Sequence, residues 1–389
     1  MRDSFFFQLD NRLHYGVDWS RGLGDFVKSL GWHDIAVLID ASVAEHNPYY
    51  REILPLIAGV VETLKEMRLR GSEEPSYDYL DSLAADIRAL SALDGIIAIG
   101  GGSAMDTGKA LAALRTNPGP ALQYRGFDRM TVAPVPTICI PSTAGTGSEV
   151  TINAVFTDTK DQRKLGINGR YLNATYAVLD AEWTMSCPRS VAVSSGIDAL
   201  VHTLESFMTS NANLLTRALN REAFRLLYEN LPALVEAPND KARRQLLLLG
   251  AYLAAVGLFN SGSGIAGALS YPIGVHFKVP HGIGGGIFIA SVVDYNVERG
   301  WYDYAELLDM VEPHPDWSAA QKAKRFGVAI RELADKLEVP RTLSVWGITR
   351  GNLDQVASLM LPLQTAFNQN PIPFSADKDA RDILARHTA

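Results

Sequence analysis

"DGIIAIGGGSAMDTGKALAAL" (94–114) is the stretch that decides how this chain folds. Its apolar run, Ile96 to Ile99, has the texture of a short strand buried on both faces. Three glycines and a serine, Gly100 to Ser103, follow at once and lead into a run of helix-forming residues. Glycines let a backbone approach a ligand closely, and a helix start offers unpaired N–H groups and a positive dipole end to an anion. The arrangement suits a pyrophosphate. It is neither GxGxxG nor a P-loop, because Lys109 stands seven residues after Gly102, too far along the helix to cradle phosphates. A tight strand-to-helix turn with no ligand is the plain alternative.

Working outward, "DIAVLID" (34–40) and "PTICIPS" (136–142) are further continuous apolar runs. Between the first of them and the glycine loop, "YDYLDSLAADIRALS" (77–91) carries apolar residues at helical spacing. Strands alternating with helices predict a parallel α/β sheet. A second polar loop, "PSTAGTGSEVT" (141–151), supplies hydroxyls and backbone donors suited to phosphate and ribose, or else is a hydroxyl-rich turn. Asp40 ends its strand where an acidic residue accepts hydrogen bonds from an adenosine ribose, or where a plain turn residue sits.

From about residue 186 the strand texture stops. "SSGIDALVHTLESFM" (194–208), "TRALNREAFRLLYENLPALV" (216–235), "RRQLLLLGAYLAAVGLF" (243–259) and "AAQKAKRFGVAIRELADKL" (319–337) all read as helices. Ser195 is placed to cap the first, with Pro188 just upstream. The chain thus divides into an α/β dinucleotide-type domain, 1–185, and an all-helical domain, 186–389, with a cleft expected between them and no internal repeat.

The net charge of −7 speaks against nucleic acid, since a phosphate binder needs a basic face. Two cysteines, Cys139 and Cys187, lie far apart and suit a reducing compartment. "MRDSFFFQLDNRLHYG" (1–16) does not read as a signal peptide, and the longest apolar run, 246–259, falls short of the roughly 18 residues that span a bilayer. A cytoplasmic protein that engages no membrane is the expectation.

"GIDALVHTLESF" (196–207) sets Asp198 and His202 four residues apart on one helix face, with Glu205 close to that face. The pair could ligate a divalent ion, or be an ordinary ion pair. A third ligand is needed, and His281 in "VPHG" (279–282) is the candidate.

At this point the chain resembles the iron-containing (group III) alcohol dehydrogenase family. The resemblance rests on "EEPS" (73–76), "GGGSAMDTGKA" (100–110), "PSTAGTGSEVT", "RKLGI" (163–167), "AVLD" (177–180), "GIDALVHTLESF", "VPHG" and "QNPIP" (369–373). It implies a Rossmann-like α/β domain joined to an all-α domain, the dehydroquinate synthase-like fold, binding NAD(P) and a divalent metal. Carried over by position, Gly101, Gly102 and Ser103 would hold the pyrophosphate, and Asp106 would belong to the cofactor site. Ser142, Thr143, Thr146, Asn153 and Lys164 would line the adenosine and nicotinamide ends, and Asp40 would favour NAD over NADP. Asp198, His202 and His281 match three of the family's four metal ligands, for Fe²⁺ or Zn²⁺.

The fourth ligand and a further active-site histidine are replaced here by Gly267 and Tyr271. Three readings of the altered site stay open. The three remaining residues hold an ion alone; or His276 moves in as a replacement; or no ion binds, and Tyr271 with His202 or His281 supplies acid–base chemistry directly. The resemblance implies an NAD-dependent oxidoreductase acting on a small or sugar-like alcohol, or the matching aldehyde or ketone, as a homo-oligomer, most simply a dimer. Two competitors are a lyase or cyclase using NAD transiently, as dehydroquinate synthase does, and a catalytically silent NAD-binding protein.

Overall fold

The computed structural model describes residues 4–70, 75–161 and 163–388. The first half of the "EEPS" stretch, Glu73 and Glu74, lies outside them. The chain forms two compact units, Leu9–Pro188 with Asn239–Leu248, and Met1–Gln8 with Arg189–Pro238 and Leu249–Ala389.

In the α/β unit, β1 (Arg12–Tyr15), β2 (Asp34–Asp40), β3 (Thr63–Leu69), β4 (Gly95–Gly100), β6 (Thr137–Pro141) and β9 (Tyr176–Leu179) form one sheet in the order β1-β9-β6-β4-β2-β3. Every pairing in it is parallel. The apolar runs are continuous because both faces are covered, and the period of two sorts their residues. Ile35, Val37, Ile39, Ile97 and Ile99 pack on one side with Ile53, Ile57 and Trp183. Ala36, Leu38 and Ile96 pack on the other with Leu80, Ile87, Leu111 and Leu114. A second, three-stranded sheet joins β5 (Gly126–Phe127), β7 (Asn153–Asp158) and β8 (Arg163–Asn168) in the order β5-β8-β7. Short polar strands of this kind carry no continuous apolar run, so the sequence pattern does not announce them.

Helix α1 (Ala41–His46) continues directly from β2, α2 (Tyr77–Arg88) precedes β4, and α3 (Gly102–Thr116) leaves it. The glycine loop lies between β4 and α3, as the sequence predicts. Gly100 has φ 151°, and a Cβ there would meet Ala104 Cβ at 2.6 Å, so only glycine makes this turn without strain.

The helical unit contains α4 (Arg189–Met208), α5 (Leu214–Glu236), most of α6 (Lys241–Ser261), α7 (Ile265–Phe277), α8 (His281–Glu298) and α9 (Ala319–Lys336). Helix α8 packs against α7, α4 and α9, and Phe207, Phe224, Phe288 and Phe326 are fully buried. The start of α6 belongs to the α/β unit, where Gln245 bonds the backbone of Leu179 and Ala181 and Arg244 that of Thr184. By length and composition α6 could cross a bilayer, but 61% of its most apolar window is buried inside the protein, as in a core helix.

One expectation is corrected. Ser195 does not cap α4, which already starts at Arg189, directly after Pro188. Ser195 sits inside the helix with its hydroxyl on the Ala192 carbonyl at 3.3 Å. Proline is a poor interior residue but marks a helix start well, and the apolar period alone misses the polar first turn.

Candidate active site

The first group of site residues gathers where β4, β6 and β2 end. Gly101 caps α3 without a side-chain bond, so the first N–H groups of that helix are left for a ligand. Ser103 is exposed at this end. The second loop folds directly over the first. The Ser142 N–H bonds the Gly100 carbonyl at 2.8 Å, a Cβ on Gly102 would meet Thr146 at 2.8 Å, and one on Gly101 would lie 3.7 Å from Thr143. Gly101, Gly102, Ser103, Ser142, Thr143 and Thr146 therefore form one surface, as the order of the motifs suggests.

Asp40 ends β2 beside this surface and caps α1, accepting the Ser42 N–H at 2.8 Å and the Val43 N–H at 3.4 Å. It is thus a turn residue that also carries a charge at the strand end. Asp106 is buried: it takes the Val155 N–H at 2.9 Å and pairs with Lys109 at 3.1 Å. Lys109 in turn bonds the backbone oxygens of Thr151 and Asn153, which fastens α3 to β7. This is why Lys109 is no phosphate clamp. Asn153 opens β7 with its side chain exposed, and Lys164 faces Thr157 across the β7–β8 pair.

The second group belongs to the helical unit. Asp198 and His202 sit one turn apart on α4, and His281 is the first residue of α8. Asp198 Oδ1 lies 3.7 Å from His202 Nε2 and 3.8 Å from His281 Nε2, and one ligand atom of each residue falls within 4.8 Å of the others. Bonds of about 2.0–2.1 Å to a tetrahedral ion would separate neighbouring donors by about 3.3 Å. The two Asp198–histidine separations exceed this by about half an ångström and the third pair by at most about 1.5 Å, so the three residues fit a divalent ion once their side chains close in on it. The glycine of "VPHG" has a matching role. A Cβ on Gly282 would collide with the Ser194 carbonyl, so glycine alone lets the start of α8 come this close to α4.

Two residues to which the motifs assign no role complete the group. Ser270, on α7, bonds His281 Nδ1 at 2.5 Å and the Gly267 carbonyl at 2.7 Å. Glu205, one turn beyond His202, is wholly buried and takes the Gly267 N–H at 2.8 Å. Burial pushes its carboxyl above the usual range, against the lowering effect of N–H groups at the start of α7 and of His202. A serine that meets a histidine across a helix break carries no local signature, so nothing in the sequence singles it out.

Tyr271 is 43% exposed, and its ring lies 4.5 Å from that of His281 at 50°. His276 is exposed in the last turn of α7 and lies outside the ion-binding group. The turn at Lys278, with φ 60°, and Pro280 reverses the chain and brings α8 back onto α7.

Known proteins agree with this architecture. The model of iron-containing alcohol dehydrogenase matches residues 10–181, and that of the C-terminal domain of the same family matches 192–387. The sulfoacetaldehyde reductase of Bilophila wadsworthia is 33% identical over 94% of this chain and 95% of its own. The lactaldehyde reductase of Escherichia coli K12 is 30% identical over 70% of this chain and 71% of its own. In fold, a 1,3-propanediol oxidoreductase superposes with a TM-score of 0.90 at 23% identity, over 98% of this chain and 99% of that one. The sulfoacetaldehyde reductase of Bifidobacterium kashiwanohense, solved with NAD⁺, superposes with a TM-score of 0.88 at 21% identity, over 98% of each chain. Two family models that together span almost the whole chain settle the assignment: this chain belongs to the iron-containing alcohol dehydrogenase family and is an oxidoreductase.

Proposed function

We propose that the protein interconverts short, polar aldehydes and their alcohols with NAD(H), using Asp198, His202 and His281 to hold a divalent ion. The observation that carries this reading is the approach of the three donors to within 4.8 Å of one another beside Tyr271. When bound, the ion supplies a Lewis acid for the substrate oxygen, and NAD supplies the hydride acceptor. The chain's own residues do the rest. The start of α3, with Gly101, Gly102 and Ser103, binds the pyrophosphate, Ser142, Thr143 and Thr146 line the adenosine and nicotinamide ends, and Asp40 takes the ribose hydroxyls. Asn153 and Lys164 line the nicotinamide end. Tyr271, half exposed against His281, donates a hydrogen bond to the substrate oxygen.

On this reading the dinucleotide belongs to 1–185 and the ion and substrate to 186–389. The preference for short aldehydes follows two relatives named for sulfoacetaldehyde and lactaldehyde, both small and polar. We assign the protein to the cytoplasm, which its two free thiols suit. We also assign it a homodimer, supported by β1, the edge strand of the six-stranded sheet, whose Leu13 and Tyr15 are exposed. NADH oxidation over a panel of two- to four-carbon polar aldehydes tests the activity. Product formed without net NADH consumption would instead support a lyase or cyclase. NADH bound but never turned over would support a silent binding protein.

A further inference from the structure

Gly267 contributes no side chain to the ion site, yet its backbone stands in the middle of a chain of hydrogen bonds. Glu205 Oε1 accepts the Gly267 N–H at 2.8 Å. The Gly267 carbonyl accepts from Ser270 Oγ at 2.7 Å, and Ser270 Oγ lies 2.5 Å from His281 Nδ1. A serine hydroxyl has one hydrogen. Once that hydrogen is given to the Gly267 carbonyl, Ser270 can only accept from His281, and Nδ1 must carry the imidazole proton. Nε2, the nitrogen that faces Asp198, then keeps its lone pair for a metal.

We propose that Ser270 is a positioning residue that fixes the tautomer and the angle of His281, and that Glu205 anchors it through Gly267. The inference rests on the reading that Asp198, His202 and His281 hold an ion. Glu205 stands on the same helix as two of these residues and grips the first turn of α7, while Ser270 sits one turn further along α7. The hydrogen-bond chain therefore ties α4 to the start of α8 where a fourth side-chain ligand is missing. Burial supports the assignment: Ser270 is 1% exposed and Glu205 0%, so neither bond competes with solvent.

The histidines of the metal-free protein, labelled with ¹⁵N, report their tautomers directly, and a His281→Gln variant identifies the signal. The expected result is the Nδ1–H form for His281, lost or mixed in Ser270→Ala and restored in Ser270→Thr. Zinc affinity, read by competition with a chromophoric chelator, should fall about 10- to 100-fold in Ser270→Ala and recover in Ser270→Thr. Glu205→Gln keeps an acceptor for the Gly267 N–H and should weaken zinc less than Glu205→Ala, with melting curves confirming that each variant folds. An Nε2–H tautomer in the parent protein, or an unchanged tautomer and affinity in Ser270→Ala, overturns the proposal. Failure of the parent protein to bind zinc or ferrous iron overturns the ion reading, while the tautomer measurement still decides the role of Ser270.

Discussion

The glycine loop and the ion group solve the problem of ligand binding in opposite ways. At the loop the groups proposed to meet the ligand are the unpaired N–H groups at the start of α3, and Gly101 and Gly102 let Thr143 and Thr146 of the facing loop pack close beside them. At the ion group the backbone is only scaffolding, and three side chains from two helices must converge to a few ångström. A site made of backbone is set by short motifs next to one another in the chain. A site made of side chains depends on helix packing, which here also brings Ser270 and Glu205 to the same place.

The largest effect should come from the ion group. His202→Ala removes one of three donors, so bound metal should disappear and turnover fall about 10³-fold, matching the loss of several kcal/mol of charge stabilisation. Elemental analysis beside steady-state rates checks this. If chelated protein works at full rate while Tyr271→Phe stops it, the ion is dispensable and Tyr271 is the proton donor.

Next comes the loop. Gly102→Val places a side chain where even a Cβ meets Thr146 at 2.8 Å, and should weaken NADH and NADPH alike by about 10- to 100-fold. The pair with Thr146→Ala should recover part of the loss in a double-mutant cycle, read by nicotinamide fluorescence. Strict additivity would show that the two loops do not act as one surface.

Restoring the family histidine is a smaller and less obvious change. A Cβ at Gly267 would stand 2.9 Å from Glu205 Oε2, a buried atom with no hydrogen-bond partner among the described residues. Gly267→His should therefore destabilise the metal-free protein by about 1–3 kcal/mol rather than simply add a ligand. Calorimetry with and without zinc measures both sides of the balance. An unchanged melting temperature would mean that Glu205 moves aside freely.

The smallest effect concerns Asp40. Asp40→Asn keeps an oxygen to cap α1 and removes the charge, so stability should hold while the preference for NADH over NADPH narrows about tenfold. Asp40→Ala should in addition cost about 1 kcal/mol through the lost cap. Equal affinity for the two cofactors in the parent protein would remove Asp40 from the ribose site.

Much of the molecule is legible in the sequence alone. The strands β2, β4 and β6 follow from unbroken apolar runs, because a strand covered on both faces needs apolar residues at every position. The helices α4, α5, α6 and α9 are read from the sequence, while α7 and α8 are not, and Asp198 and His202 share a face because four residues make roughly one turn. Gly100 to Ser103 mark the turn between a strand and a helix for the same local reason. These features depend on neighbours in the chain, and neighbours are what a sequence records.

What only the tertiary structure decided depends on residues far apart in the chain. The β7–β8 hairpin and the edge strand β1 lack a continuous apolar run, and their places come from pairing with other strands. Asp106 and Lys109 proved to fasten α3 to β7, a contact that spacing along one helix does not show. His281 joins Asp198 because Gly282 lets α8 approach α4 closely. Ser270 reaches His281 only because the turn at Lys278 and Pro280 folds α8 back onto α7. A hydrogen bond is directional and short-ranged, so its partners are chosen by how helices pack, and packing is a property of the whole fold.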